Sequence, residues 1–130
     1  MINCPTKIYL DNSPVHGLGV FAKVDIKQGE LIEEAPFLEL PINKGESSPL
    51  FIDYRFNFPS GMEWTHQVLV MGYGSFYNHS DDASAYWFSD NQKRTFNFIA
   101  SKDILAGEEI FTYYGDSNYW NDGRNRIEVV

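Results

Sequence analysis

Residues 22–32 and 100–110 carry one pattern twice. Ala22-Lys-Val-Asp25-Ile26-Lys-Gln-Gly29-Glu30-Leu-Ile32 returns as Ala100-Ser-Lys-Asp103-Ile104-Leu-Ala-Gly107-Glu108-Glu-Ile110, with six identities at constant spacing. Aspartate caps tight turns by accepting backbone N–H groups, and glycine supplies the positive φ that closes them. Each run therefore predicts a strand, a tight turn over 25–30 or 103–108, and another strand. Two copies are too few for a solenoid, which needs about three stacked repeats. A chain with this device at both ends is committed to short strands and turns.

The remaining segments agree with that restriction. Residues 7–10 predict a first strand and Asp11-Asn12-Ser13-Pro14 a turn. Gly17-Leu18-Gly19 predicts a hairpin turn into the strand-like Val20-Phe21-Ala22. A lone Gly-x-Gly lacks the spacing of a dinucleotide-binding loop. Residues 31–40 read as extended, with Pro36 and Pro41 confining that strand to an edge or bounding it. Residues 41–49 read as an exposed loop. Aromatics at 54, 56 and 58 alternate as on one face of a strand over 50–58. Residues 63–71 predict the one helix. Residues 85–89 and 95–100 flank Asp90-Asn91-Gln92-Lys93 as a hairpin. Residues 110–114 predict a last strand, broken by Gly115-Asp116-Ser117-Asn118.

At 130 residues the chain has room for one domain with a modest core, so residues 1–130 are expected to form a single unit. The formal net charge of −8 argues against a nucleic-acid partner, which needs a basic face. It favours a cationic one, such as a lysine-rich peptide. Cys4 is the only cysteine, which excludes an internal disulfide and a cysteine zinc cluster. No run has the length of a membrane span and the N-terminus lacks a signal-peptide apolar region. The expectation is a soluble, intracellular protein without a membrane partner.

Residues 72–80, Gly-Tyr-Gly-Ser-Phe-Tyr-Asn-His-Ser, are the candidate site loop: two glycines, two aromatics, then compact polar groups between hydrophobic runs. Asn78 and His79 can both donate and accept hydrogen bonds. His79-Ser80-Asp81-Asp82 also invites a metal-hydrolase reading. Adjacent carboxylates point apart on most backbones, and no second histidine has ligand-like spacing, so no metal is expected.

Three segments in order resemble the SET domain of protein-lysine methyltransferases. They are Gly17-Leu18-Gly19-Val20-Phe21-Ala22, Tyr77-Asn78-His79-Ser80 and Gly107-Glu108-Glu109-Ile110-Phe111-Thr112-Tyr113-Tyr114-Gly115. The resemblance spans about 13–120, closest in size to minimal stand-alone SET proteins of large DNA viruses and bacteria. It implies a mostly β fold of small curved sheets, the β-clip, with one or two short helices and a C-terminal segment threaded knot-like beneath the Asn78-His79 loop. It implies S-adenosyl-L-methionine as cofactor and a lysine-bearing basic protein or peptide as partner, a histone tail being the family default. Gly17, Leu18, Gly19, Tyr77, Asn78 and His79 would bind the cofactor, with Trp120 covering the adenine. Tyr114 matches the catalytic tyrosine, Tyr54 a channel aromatic, and Tyr119 the position that tunes the number of methyls added. A histone substrate would place the protein in a nucleus. Within residues 1–130 no cysteine-rich segment of the kind that often flanks such domains is present, so none is expected to close the site. Either residues 119–130 or a second subunit must then close the site, and Ile127, Val129 and Val130 motivate a homodimer. The same fold without turnover would be a peptide-binding module.

Overall fold

The structure, a computed structural model, describes residue 2 and residues 4–39, 55–58 and 66–113. Strands β1 (Ile8–Asn12), β2 (Leu18–Ala22), β3 (Leu31–Glu39), β4 (Arg55–Phe58), β5 (His66–Val70), β6 (Asn78–His79), β7 (Ala85–Asp90), β8 (Thr95–Ala100) and β9 (Glu109–Thr112) run through them. They form a sheet of order β1-β2-β9-β6 and a second of order β4-β5-β3-β8-β7. The mostly β architecture expected from the sequence is the one observed.

The repeated runs meet face to face. Ile26 and Ile104, both buried, exchange backbone hydrogen bonds of 2.8 Å in each direction. Gly29 N–H donates to Ala100 O at 2.8 Å, and its counterpart Gly107 N–H donates to Ala22 O at 2.7 Å. Asp25 and Asp103 do cap turns, as the sequence suggests, but each caps the other copy: Asp25 Oδ1 accepts Ala106 N–H and Asp103 Oδ1 accepts Gln28 N–H, both at 2.9 Å. Within each turn a glutamate carboxylate accepts the local amide, Glu30 from Lys27 and Glu108 from Leu105. Gly29 and Gly107 sit at φ +89° and +91°, values that L-residues rarely adopt. The device is thus a pseudo-twofold pair that joins the two sheets.

β1 and β2 form a hairpin closed by Ser13 N–H to Gly17 O at 2.8 Å. The strand continues through Asp11 and Asn12, which pair with Gly19 and Leu18; the turn expected from their composition starts two residues later, at Ser13. The hairpin of β7 and β8 pairs Ala85 with Ala100 and Asp90 with Thr95, as read from the sequence. Arg94, at φ 60°, closes its loop with N–H to Asp90 O.

Two expectations are corrected. The helix expected over 63–71 is not formed in its described part: residues 66–70 are β5, pairing antiparallel with β3 and β4. Val68 and Val70 are buried in the core, and β-branched packing between two neighbouring strands outweighs a weak helix preference. No helix occurs among the described residues. Pro36 does not mark an edge strand either, since β3 is central in its sheet. Pro36 stands at a handover: β3 pairs with β8 as far as Pro36 and with β5 from Phe37 onward. The missing N–H falls between the two ladders, and Pro36 O still accepts Met71 N–H at 2.7 Å.

The core of the second sheet is aromatic. Phe56, the middle of the three expected alternating aromatics, meets Trp87 and Phe96 edge-on. Tyr77 stacks on Phe98 with ring centroids 4.4 Å apart. The loop expected at 41–49, Tyr54, and the C-terminal threading beyond 113 lie outside the described residues.

The paired turns yield a stability prediction. Ala at Gly107 must hold φ near +91°, which costs roughly 1–3 kcal/mol, although nothing crowds its Cβ. Asp103→Ala should cost less, about 0.5–1.5 kcal/mol, because its bond is solvent-exposed. Urea denaturation of both variants should give that order; a Gly107→Ala protein as stable as the parent would contradict it.

Candidate functional site

The loop from Met71 to Tyr77 needs its two glycines for packing. Gly72 has φ +64°, and a Cβ there would stand 2.6 Å from Glu33 Oε2. A Cβ on Gly74 would stand 2.1 Å from Val70 Cγ1. The close approaches that these glycines permit are therefore made to the protein's own core. Turn bonds from Gly74 N–H to Met71 O and from Phe76 N–H to Tyr73 O complete the loop, which delivers the chain into β6.

β6 runs parallel to β9, with Asn78 opposite Phe111 and His79 opposite Thr112. Asn78 is buried, and its Nδ2 donates to three acceptors: His16 O at 3.0 Å, Leu18 O at 3.3 Å and Glu109 Oε2 at 2.9 Å. Ser13 Oγ donates to the same Glu109 carboxylate at 2.8 Å to Oε1 and also accepts Val15 N–H. One amide and one carboxylate thus tie the 13–17 turn and the start of β2, which holds the Leu18 and Gly19 expected in the turn, to β6 and β9. Gly19 is required by this knot, because a Cβ would stand 2.3 Å from Glu109 Oε2. Gly17, at φ +47°, faces open space, so its main chain is accessible to a ligand. Leu18 and Tyr113 stand exposed nearby in sequence to these groups.

His79 has a fully buried ring whose Nε2 lies 2.9 Å from Asp81 Oδ1, with Tyr113 tilted against it at 5.2 Å. Asp82 turns away to Lys102 at 2.9 Å. The adjacent carboxylates diverge as the sequence reading anticipates, and no group of three metal-capable side chains forms among the described residues. An open groove of about 430 Å³ runs beside Ser80 and Glu109, edged by Asp82, Asp103, Glu108 and Lys102, so that among the described residues its carboxylates outnumber its one cation.

The structure brings together Gly17, Leu18, Gly19, Asn78 and His79 with the β9 segment that leads to Tyr114. Tyr77 belongs to the same strand entry, but its ring lies in the core, so it can offer a ligand only main chain. Tyr54, Tyr114, Tyr119 and Trp120 lie outside the described residues. Sequence reasoning missed Ser13, Glu33 and the specific role of Glu109. Glu109 had a signal: it occupies the place of Leu31 in the repeat, a charge where the other copy is apolar. Glu33, buried in β3, accepts Tyr77 Oη–H and Tyr73 N–H, both at 2.8 Å. Burial pushes its carboxyl above the ordinary 4.5, against the lowering effect of those two donors. The Tyr77 hydroxyl is pushed well above its ordinary range, by burial first and the Glu33 charge second.

The SET domain family model matches residues 17–115. The chain belongs to the SET domain family. A curated relative, a histone-lysine N-methyltransferase of Schizosaccharomyces pombe specific for H3 lysine-37, is 28% identical over 109 residues, 82% of this chain and 71% of that protein. A solved Plasmodium falciparum protein assigned as a histone methyltransferase superposes with a TM-score of 0.72 at 32% identity, over 89% of this chain and 98% of that one. The Neurospora SET domain protein DIM-5, a histone lysine methyltransferase, superposes at 0.64 over 85% of this chain and 52% of its own. At 21% identity that likeness concerns the fold. In this SET domain the Gly17–Gly19 segment and the Asn78-His79 strand are joined by the hydrogen bonds of Asn78, Glu109 and Ser13.

Two expectations follow. Gly19→Ala should break the knot while leaving the chain folded, because Glu109 must swing away from Asn78; amide exchange at 16–19 should then rise about tenfold or more, and unchanged exchange would contradict the packing. Glu33 yields a pH effect with a defined sign. Its folded-state pKa is raised, so the native state binds the extra proton and stability falls as pH rises from about 4.5 through the folded value. Glu33→Gln should remove that slope. Melting curves between pH 4 and 8 should therefore show the variant gaining on the parent as pH rises; parallel curves would contradict it.

Proposed function

We propose that this SET domain is a protein-lysine N-methyltransferase that uses S-adenosyl-L-methionine to methylate a lysine on a basic protein tail, with histone as the substrate class. The observation that carries the reading is the convergence of the Gly17–Gly19 turn, the Asn78-His79 strand and the β9 segment leading into Tyr113-Tyr114. The activity of the S. pombe relative and the assignment of the P. falciparum protein as a histone methyltransferase support it. If histone is the substrate, the protein works in a nucleus.

The residues fit the cofactor in kind. Gly17 leaves backbone open where a side chain would otherwise stand, and main-chain groups of 17–19 and 78–79 can bind a zwitterionic amino-acid moiety without introducing a competing charge. Leu18 and Tyr113 supply apolar and aromatic surface for a base. When bound, S-adenosyl-L-methionine supplies an electrophilic methyl whose transfer to a lysine amine is an in-line displacement. The chain's part is to orient the amine, exclude water and stabilise positive charge arriving on nitrogen. Tyrosine faces and hydroxyl oxygens do this without forming a covalent intermediate, by cation–π attraction and fixed dipoles. Tyr114 is assigned that role by its motif, with Tyr54 as a channel wall. The lysine must be neutral; its unperturbed pKa of about 10.4 falls when the amine is desolvated, and no dedicated base is required. The acidic groove beside Ser80 and the net charge of −8 attract a lysine-rich partner on encounter.

The test is incubation with labelled S-adenosyl-L-methionine and a panel of histone and other basic peptides, read by mass spectrometry. Methyl label on lysine is expected, and its absence on every basic substrate would overturn the reading. Tyr114→Phe should lower turnover by about 100-fold or more, the scale of removing one preorganised dipole, while calorimetric cofactor affinity stays within a few-fold. Loss of affinity together with activity would assign Tyr114 to binding instead.

A further inference from the structure

β3 contains an irregularity in its pairing with β8. Leu31 stands opposite Ile99 and Glu33 opposite Phe98, so two residues on β3 occupy one step on its partner. A bulge of this kind re-aims a side chain. Here Ile32 and Glu33 are both buried, although neighbours on a regular strand face opposite ways. The carboxylate is thereby directed inward, 2% exposed, where burying it carries a penalty unless it is hydrogen-bonded.

Its partners are all on the loop that leads into Asn78-His79. Oε1 accepts the Tyr77 hydroxyl, Oε2 accepts Tyr73 N–H, and Gly72 is bare at the point where a Cβ would touch Oε2. Tyr77 is the residue immediately before Asn78, and its ring is stacked on Phe98, the residue opposite Glu33. The loop is otherwise held by Met71 N–H on Pro36 O, by Ser75 Oγ–H on Val70 O and by its own turn bonds from Gly74 N–H to Met71 O and from Phe76 N–H to Tyr73 O. At its far end the Glu33–Tyr77 bond and the stacking of Tyr77 on Phe98 anchor the loop.

We infer that Glu33 is a positioning residue for cofactor binding, docking the 72–77 loop through Tyr77 and the Tyr73 amide so that Asn78 and His79 enter β6 at a fixed height beside the Gly17–Gly19 turn. This rests on the proposed cofactor site. Glu33 does not itself face the ligand. It acts through a bond on each side of the loop, from a strand about 40 residues away in sequence. Loosening the loop would displace the Asn78 amide from the 16 and 18 carbonyls and blur the ligand-facing backbone, since binding groups displaced by even 1 Å lose effect.

The test uses three variants of the whole chain. Glu33→Ala removes both acceptors, Tyr77→Phe removes one hydroxyl and keeps the ring, and Glu33→Gln keeps an acceptor for Tyr73 N–H and a donor for the tyrosine oxygen. Circular dichroism checks that each is folded, and calorimetry with S-adenosyl-L-methionine gives Kd. Steady-state assays separate cofactor KM from kcat. Tyr77→Phe should raise Kd and KM about fivefold and Glu33→Ala about tenfold or more, with kcat at saturating cofactor changed far less. Glu33→Gln should restore affinity to within about threefold of the parent, which separates docking from bulk loss of the core. Variants that melt earlier yet bind as the parent does would overturn the inference, as would a Gln variant no better than Ala. Amide exchange at 77–80 in ligand-free protein is read alongside: faster exchange in Glu33→Ala and Tyr77→Phe supports the inference even if the parent binds no S-adenosyl-L-methionine, a result that would defeat the proposed cofactor instead. Unchanged exchange in both variants would overturn the inference whatever the cofactor does.

Discussion

Ile26 and Ile104 hold each other across the centre of the molecule by a reciprocal pair of 2.8 Å backbone bonds, and around them two tight turns cap one another through Asp25 and Asp103. From these turns depart β2 and β3 on one side and β8 and β9 on the other. Because β2 and β9 are in one sheet and β3 and β8 in the other, this contact sets how the sheets stand to each other. The arrangement satisfies the turn amides locally and reciprocally, which a small sheet protein needs because buried backbone groups without partners are costly. The two buried isoleucines exclude water from the same place.

The candidate site inherits its geometry from that centre. β9 leaves the second turn already paired with β2, and its other edge accepts the two-residue strand Asn78-His79 in parallel. A two-residue strand has little cohesion of its own. It is kept in place by side chains on three sides: Glu109 and the 16 and 18 carbonyls on the Asn78 amide, Asp81 and Tyr113 on His79, and Glu33 through Tyr77. Buried polar groups in such numbers are tolerated only when bonded, and each loses more by being orphaned than it gains by being made. That asymmetry makes the site rigid, which suits a reaction in which alignment of two reactants is most of the protein's contribution.

Much of this was legible in the chain. The repeat, with its Asp and Gly at fixed places, announced two equivalent turns; the three ordered motifs announced the family and brought Gly17, Leu18, Gly19, Asn78 and His79 into one list. What was not legible depended on contacts between distant segments. Nothing local says that Asp25 caps the turn at 106 instead of its own. Residues 66–70 carry a helix-compatible pattern until Val68 and Val70 find strands on both sides. Pro36 reads as an edge marker because the handover from β8 to β5 is a property of three strands together. Glu33 stands beside Glu34 with no local sign of burial, and only the bulge turns it inward. Gly72 and Gly74 were visible in the site loop, but that they approach their own core is decided by Glu33 and Val70.

The central claim is that a cofactor is received where the 17–19 turn meets the 78–80 segment. Hydrogen exchange of the whole chain, with and without S-adenosyl-L-methionine, tests it most directly. Protection is expected to rise at residues 17–19 and 78–80, while the β7–β8 hairpin of the other sheet keeps its ligand-free exchange. Protection confined to that hairpin or to the 25–30 and 103–108 turns, or no change at saturating cofactor, would contradict the account.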